Sequence, residues 1–276
     1  MSNIFNLENP FWSFLSKLVD GFWLMILWYL NLIPAYIGYK VMGGSDGLMN
    51  ILQGGNAVAL IVYLAVMLIL TFTLGPATTA FFYVAQKLVV DQEGNITKQF
   101  FHSYKENFRQ ASILWLIMLG VGAVLFFNLW FYRMASQGVN QKLGIFVFFI
   151  LVILWVYLMT LQFIFPVQSK FANPIKNTIK FSLVLSLQKF GWTLVMMIVF
   201  AAVIGIGLFV MVPVLLFAPG IITFIDARIV QHIFEPYIQQ IQENPDQSVT
   251  MAEVEARVKE EKRAAKEAEK AEKEEK

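Results

Sequence analysis

A chain of 276 residues that is 58% hydrophobic and only 14% charged lies far from the soluble average, where about a quarter of residues carry charge. Its net charge of +2, with no basic cluster set against an aromatic platform, excludes a nucleic-acid binder. The absence of cysteine excludes disulfides, thiolate nucleophiles and cysteine-ligated metals.

The charge is also unevenly placed. Nine of the 21 Lys and Arg and twelve of the 19 Asp and Glu fall between Arg228 and Lys276. What remains is apolar enough for several runs of about 20 residues, the length that spans a bilayer core. No cleavable signal peptide is evident, so the first apolar run is expected to stay as a span.

In chain order, Asn9 and Pro10 form a helix-start signal. Phe11, Phe14, Leu15 and Leu18 then recur at helical spacing, which predicts a short interfacial helix over 9–19, or else the first turns of the span that follows. The first apolar segment is 21–39, interrupted by Asn31 and Pro34. Gly43, Gly44, Gly54 and Gly55 mark 40–56 as a loop. The apolar run 57–90 is too long for one crossing. Gly75-Pro76 is its natural break, giving a second span over 57–74 and an arm leaving the membrane over 77–89.

A turn at 91–95 leads into 97–110, where Phe101, Tyr104 and Phe108 share one helical face and Lys98, His102, Lys105 and Arg109 lie beside it. The third span is 111–132, bounded by Trp115, Trp130 and Tyr132. The fourth is 143–165, ended by Pro166. Asn173-Pro174 repeats the start signal before a second amphipathic piece, in which Ile175, Ile179, Leu183 and Leu187 step by four beside Lys176 and Lys180. Pro213 and Pro219 divide the long run 191–233 into a fifth span, 191–212, and a sixth crossing or re-entrant piece, 213–233. The tail after 238 is polar, with a capping box at Thr250 and Glu253 and i,i+4 charge pairs beyond it.

The fold class expected is therefore all-α: a polytopic transmembrane helix bundle with amphipathic cytoplasmic elbow helices and a charged C-terminal helix. Its parts are an interfacial helix in 1–20, a transmembrane domain in 21–237 and a charged, partly helical tail in 238–276. Cations cluster in the loops around 87–109 and 170–189, which places those loops and the N-terminus in the cytoplasm. Six crossings return the tail to the same side. The pattern of span, proline, amphipathic elbow and tryptophan occurs twice, around Pro76 and around Pro166, as in a parallel internal repeat.

Three stretches, NPFWSFLSKLVD at 9–20, the segment 75–115 beginning GPATTAFFYVAQK, and FPVQSKFANPIKNTIKFSLVLSL at 165–187, together resemble the YesL-like membrane proteins of Gram-positive bacteria, a family of unknown function. The likeness reaches to about Tyr237 and departs in two places. An additional stretch of roughly 39–73 precedes the Thr-Thr-aromatic arm, and the charged tail lies outside the family pattern. The resemblance implies a place beside a carbohydrate importer or a sensor kinase, because such proteins are often encoded next to those systems.

The chemistry is sparse. His102 and His232 are far apart and lack a second ligand at helical spacing, so each reads as a solvated or interfacial side chain. No phosphate loop and no Gly-x-Ser-x-Gly frame is present. Asn31, Asn128 and Gln162 are the notable intramembrane polar residues; interhelical hydrogen bonding is the plain reading, and contact with an uncharged solute is the functional one. Asp226 and Arg228, spaced by two near the end of the last apolar run, read as a snorkelling pair at an interface. Lys98, Phe101, Tyr104, Lys105, Phe108, Arg109, Lys176 and Lys180 are the candidate contacts with lipid headgroups or a cytoplasmic partner. The coupling signature of importer permeases, Glu-Ala-Ala followed by Gly and Ile-x-Leu-Pro, is absent from the loops between spans. The expectation is a non-enzymatic accessory membrane protein of the plasma membrane, without cofactor or metal, whose partners are membrane lipids and a membrane transporter or sensor kinase. The alternative is a small-solute transporter or channel.

Overall fold

The computed structural model describes residues 10–54, 57–92, 94–138, 144–171 and 173–243. Helices α1 (Pro10–Tyr29), α2 (Ile33–Val41), α3 (Gly44–Gln53), α4 (Ala57–Thr71), α5 (Leu74–Val89), α6 (Ile96–Gly138), α7 (Gly144–Lys170), α8 (Ile175–Gln188), α9 (Phe190–Phe209) and α10 (Val214–Glu243) follow in order, with one 3-10 turn at Leu30–Leu32. Six helical stretches, Val19–Val41, Val58–Val89, Ile96–Ser136, Gly144–Lys170, Phe190–Phe209 and Val214–Gln239, are long and apolar enough to cross a membrane. The protein is an all-α polytopic helix bundle.

Several expected boundaries move. Residues 10–29 form one helix, so the amphipathic start is the first turns of the first apolar segment. The expected loop at 40–56 contains α3, entered through Gly43 and Gly44 at φ 88° and 59°, a left-handed turn that glycine adopts without steric cost. The third span and the elbow before it are a single helix of 43 residues, about 65 Å long at ~1.5 Å per residue and twice the thickness of a bilayer core. The capping oxygen is that of Asn95, which accepts from the Lys98 amide at 2.9 Å. Asn173 does not cap α8: Pro174 holds the cap position in extended backbone and no side chain bonds the first turn. The capping box at Thr250 lies outside the described residues.

The two prolines behave differently. α5 begins two residues before Pro76, after a turn at Phe72 and Thr73, as the break predicts. Pro166 ends nothing: α7 runs through it to Lys170. Its missing N–H leaves the Gln162 carbonyl without its helical donor, yet the helix continues. The Pro166 carbonyl accepts from Ser169 at 2.8 Å and from Gln86 of α5 at 3.5 Å. The long run 191–233 divides at 210–213, and Pro219 lies inside α10.

The core sits at one end of the bundle and is built around α5, whose residues from Leu74 to Gln86 are buried apart from Thr78 and Tyr83. Ala77, Ala80, Phe81 and Val84 of α5 pack with Leu24 of α1, Phe100 of α6 and Ala227 of α10. Phe82 joins Leu114 of α6 and Ile164 of α7. A second cluster joins Phe163 and Val167 of α7, Phe181 and Leu185 of α8, Met196 of α9 and Phe234 of α10. Towards the other end, large apolar side chains point outward, among them Ile61, Phe126, Phe127, Phe148, Ile198 and Phe209. That is the surface acyl chains cover.

Candidate interaction face

The first four turns of α6 carry three stripes. Ile96, Phe100, Ser103 and Ala111 are buried against the bundle. Phe101, Tyr104 and Phe108 form the next stripe, about 100° around the helix from the first. Their rings touch in series: Phe101 to Tyr104 at 6.5 Å, Tyr104 to Phe108 at 5.5 Å, and Phe108 edge-on to Phe72 at 5.7 Å. The third stripe is Lys98, His102, Lys105 and Arg109, all exposed. The rings share one face as their spacing implies; Phe100 and Ser103 make the fully buried contact with the core, and Tyr104 of the ring stripe packs beside them. Phe101 is exposed, and Tyr104 and Phe108 are half-buried. An aromatic edge between a packed face and a cationic face is the order in which a helix meets an acyl layer and then headgroups. His102 pairs with Glu106 at 3.5 Å on the exposed side.

In α8 the stripe read from the sequence divides: Ile175 and Ile179 are half-buried and pack on the cluster around Phe82 and Ile164. Leu183 and Leu187 are exposed, while Thr178, Phe181, Ser182, Leu185 and Ser186 face inward. Lys176 and Lys180 project to the exposed side. The two elbows meet where Gln110 of α6 donates to the Asn173 carbonyl just before α8.

Behind these cations runs a buried polar seam that the sequence reading did not single out. Gln168 of α7 donates to Asn107 of α6 at 3.2 Å and accepts from Thr178 of α8 at 3.3 Å. Gln86 of α5 donates to Ser169 of α7 at 3.1 Å. At the periphery, Trp23 of α1 donates to Thr97 of α6 at 2.8 Å, Lys17 pairs with Asp91, and Tyr237 of α10 donates to Gln188 at 3.3 Å. Six helices, α1, α5, α6, α7, α8 and α10, are thus pinned to each other at the cation-rich end. The sequence signal was present in Gln86, Gln168 and Thr178, polar residues within helix-forming runs and close to the elbows.

The three intramembrane amides are not brought together. The side-chain amides of Asn31 and Asn128 donate to carbonyls of their own helical turns, Leu27 at 3.0 Å and Val124 at 2.8 Å. Gln162 has a buried carbonyl oxygen without a hydrogen-bond partner. The interhelical bonds expected of the two asparagine amides are therefore intrahelical. Asp226 and Arg228 do not act as a snorkelling pair: Asp226 is 4% exposed inside the bundle, while Arg228 points outward. Two residues along a helix separate side chains by about 200°, which sends them to opposite sides.

With this arrangement in view, part of the chain is similar to a known family. Residues 18–129 match the family described as a protein of unknown function, DUF624. The match takes in α5 and most of α6, and so the segment 75–115 that carries the YesL-like likeness; it ends before α8. The chain is also similar to an uncharacterized protein, YteU, of Bacillus subtilis, with 25% identity over 162 residues, 58% of this chain and 68% of that one. No solved structure matches the chain.

Proposed function

We propose that this DUF624-type chain is a non-enzymatic accessory protein of the plasma membrane that docks a membrane transporter or sensor kinase through the cationic face of α6 and α8. The reading rests on one observation above the rest: Lys98, Lys105 and Arg109 form a continuous exposed stripe on a helix whose opposite side is fixed to the bundle. Lys176 and Lys180 extend that cationic surface on a second helix joined to the first at Gln110 and Asn173. A rigid display of this kind loses little conformational entropy on binding a partner. In this reading the cation-rich end, the N-terminus and the tail are cytoplasmic.

The test is a triple variant, Lys98→Gln, Lys105→Gln and Arg109→Gln, purified from native membranes after crosslinking. The variant is expected to insert and fold but to lose co-purifying membrane proteins that the wild type retains. If it keeps them all and loses only affinity for anionic vesicles, at about 1 kcal/mol per charge, the face anchors to headgroups and the docking reading fails.

A further inference from the structure

α10 carries a second feature, independent of the cationic face. A cavity of about 300 Å³ lies between four helices, lined by Trp28 of α1, Thr78 of α5, Phe200 and Ile204 of α9, and Pro219 and Thr223 of α10. It is at the small end of the range for ligand pockets. Its walls are apolar except for the two threonine hydroxyls and the indole N–H, and the indole already donates to Thr78 at 3.1 Å.

Pro219, Ile222, Thr223 and Asp226 are spaced i, i+3, i+4 and i+7, so they form one stripe of α10. The first three line the cavity. Asp226 continues the stripe one turn further on. Below it the same stripe passes through Val230 and Ile233, which are closed off by Phe163, Val167 and Met196. The carboxylate therefore stands between a cavity on one side and a dry core on the other. It is 4% exposed, its Oδ1 has no hydrogen-bond partner, and among the described residues no cation comes within 4.0 Å of it.

An ionisable side chain within a span is costly, and a partner is its usual explanation. Arg228 faces the other way. A hard divalent cation needs six or more oxygens, and this region offers one carboxylate and two hydroxyls. One carboxyl group, a helical turn beyond a hydrocarbon-walled cavity and on the same stripe of α10, matches a ligand with one cationic head on an apolar body.

From this geometry we infer that the cavity between α1, α5, α9 and α10 is a binding site for a lipophilic amine, whose ammonium donates to Asp226 and whose chain fills the space beside Trp28, Phe200 and Ile204. A primary ammonium carries three donors, enough for the carboxylate and a threonine hydroxyl together.

The test uses native mass spectrometry of the detergent-solubilised full chain with dodecylamine and, separately, dodecanol. The wild type is expected to hold the amine at least tenfold more tightly than the alcohol. Asp226→Asn should abolish that preference while leaving alcohol binding in place, and Ile204→Trp, which fills the cavity, should abolish both. Equal binding of amine and alcohol by the wild type overturns the proposal, as does an amine preference that survives in Asp226→Asn. Should Asp226→Asn fail to fold, the wild-type ratio and the Ile204→Trp variant still decide.

Discussion

The crossing of α5 and α6 depends on a missing side chain. A Cβ at Gly75 would come within 2.3 Å of the Ala111 carbonyl oxygen and 2.7 Å of the Trp115 Cβ. Neither atom can retreat, since one is backbone and the other is fixed to it. Gly75→Val is therefore expected to lower stability by about 1–3 kcal/mol, the usual cost of overpacking a formed core, as a fall in the thermal midpoint in detergent. Gly120→Ala is the control: nothing lies within 4 Å of its Cβ position, so its midpoint should stay unchanged or rise slightly. Gln168 is the second residue on which much rests. It satisfies Asn107 and Thr178 at once, and Thr178 is fully buried. Gln168→Ala takes the donor from the Asn107 Oδ1, while the Thr178 hydroxyl keeps the Asn173 and Pro174 carbonyls at 3.4 Å; the change should cost about 1–3 kcal/mol and should loosen α8. Faster amide exchange confined to 175–188 would report it; protection equal to that of the wild type would show that the seam does not hold this helix.

At the scale of the element, length and composition made the spans legible, while the inward faces were not. Each of the six apolar runs read from the sequence overlaps one of the six long apolar helical stretches among the described residues, because exclusion of charge over about 20 residues is a strong signal. The faces failed for a physical reason. In water the apolar stripe of a helix points to its partner, but in lipid the outside is as apolar as the inside, and close approach of small residues decides packing. α8 illustrates this: its step-of-four leucines point outward and its serines inward. In α6 the periodicity groups Phe101, Tyr104 and Phe108 on one face, while the fully buried ring is the neighbouring Phe100. Pro166 shows the same limit for breaks, because a proline inside a helix is tolerated where neighbouring helices pack around it. Ser182, 0% exposed, and Leu187, 51% exposed, give a direct contrast. Ser182→Leu is expected to lower the thermal midpoint by several degrees through overpacking. Leu187→Ser should leave it nearly unchanged. The reverse ranking would restore the leucine stripe as the buried face.

Across the whole molecule, the two ends differ in charge and in fastening. Lys17, Lys98, Lys105, Arg109, Lys176 and Lys180 gather at the end where the polar seam ties the helices, as shown by the Lys17–Asp91, Trp23–Thr97 and Gln110–Asn173 contacts. Lys40 and Arg133 stand at the other end, where described polar contacts between helices are few; Tyr29 to the Leu216 carbonyl at 2.9 Å is one. Short loops rich in cations stay on the cytoplasmic side during insertion, and a helix that passes between the ends must change sides at each crossing. α6 carries the argument alone, because it holds Lys98 near its start and Arg133 near its end on one unbroken axis. Cysteine is absent from the chain, so single replacements report without background. In intact cells, Lys105→Cys and Lys176→Cys are expected to resist an impermeant maleimide and to react only after the membrane is opened. Arg133→Cys and Lys40→Cys should react at once. Labelling of Lys105→Cys together with protection of Arg133→Cys would invert the molecule, and equal labelling of both would mean that α6 does not cross.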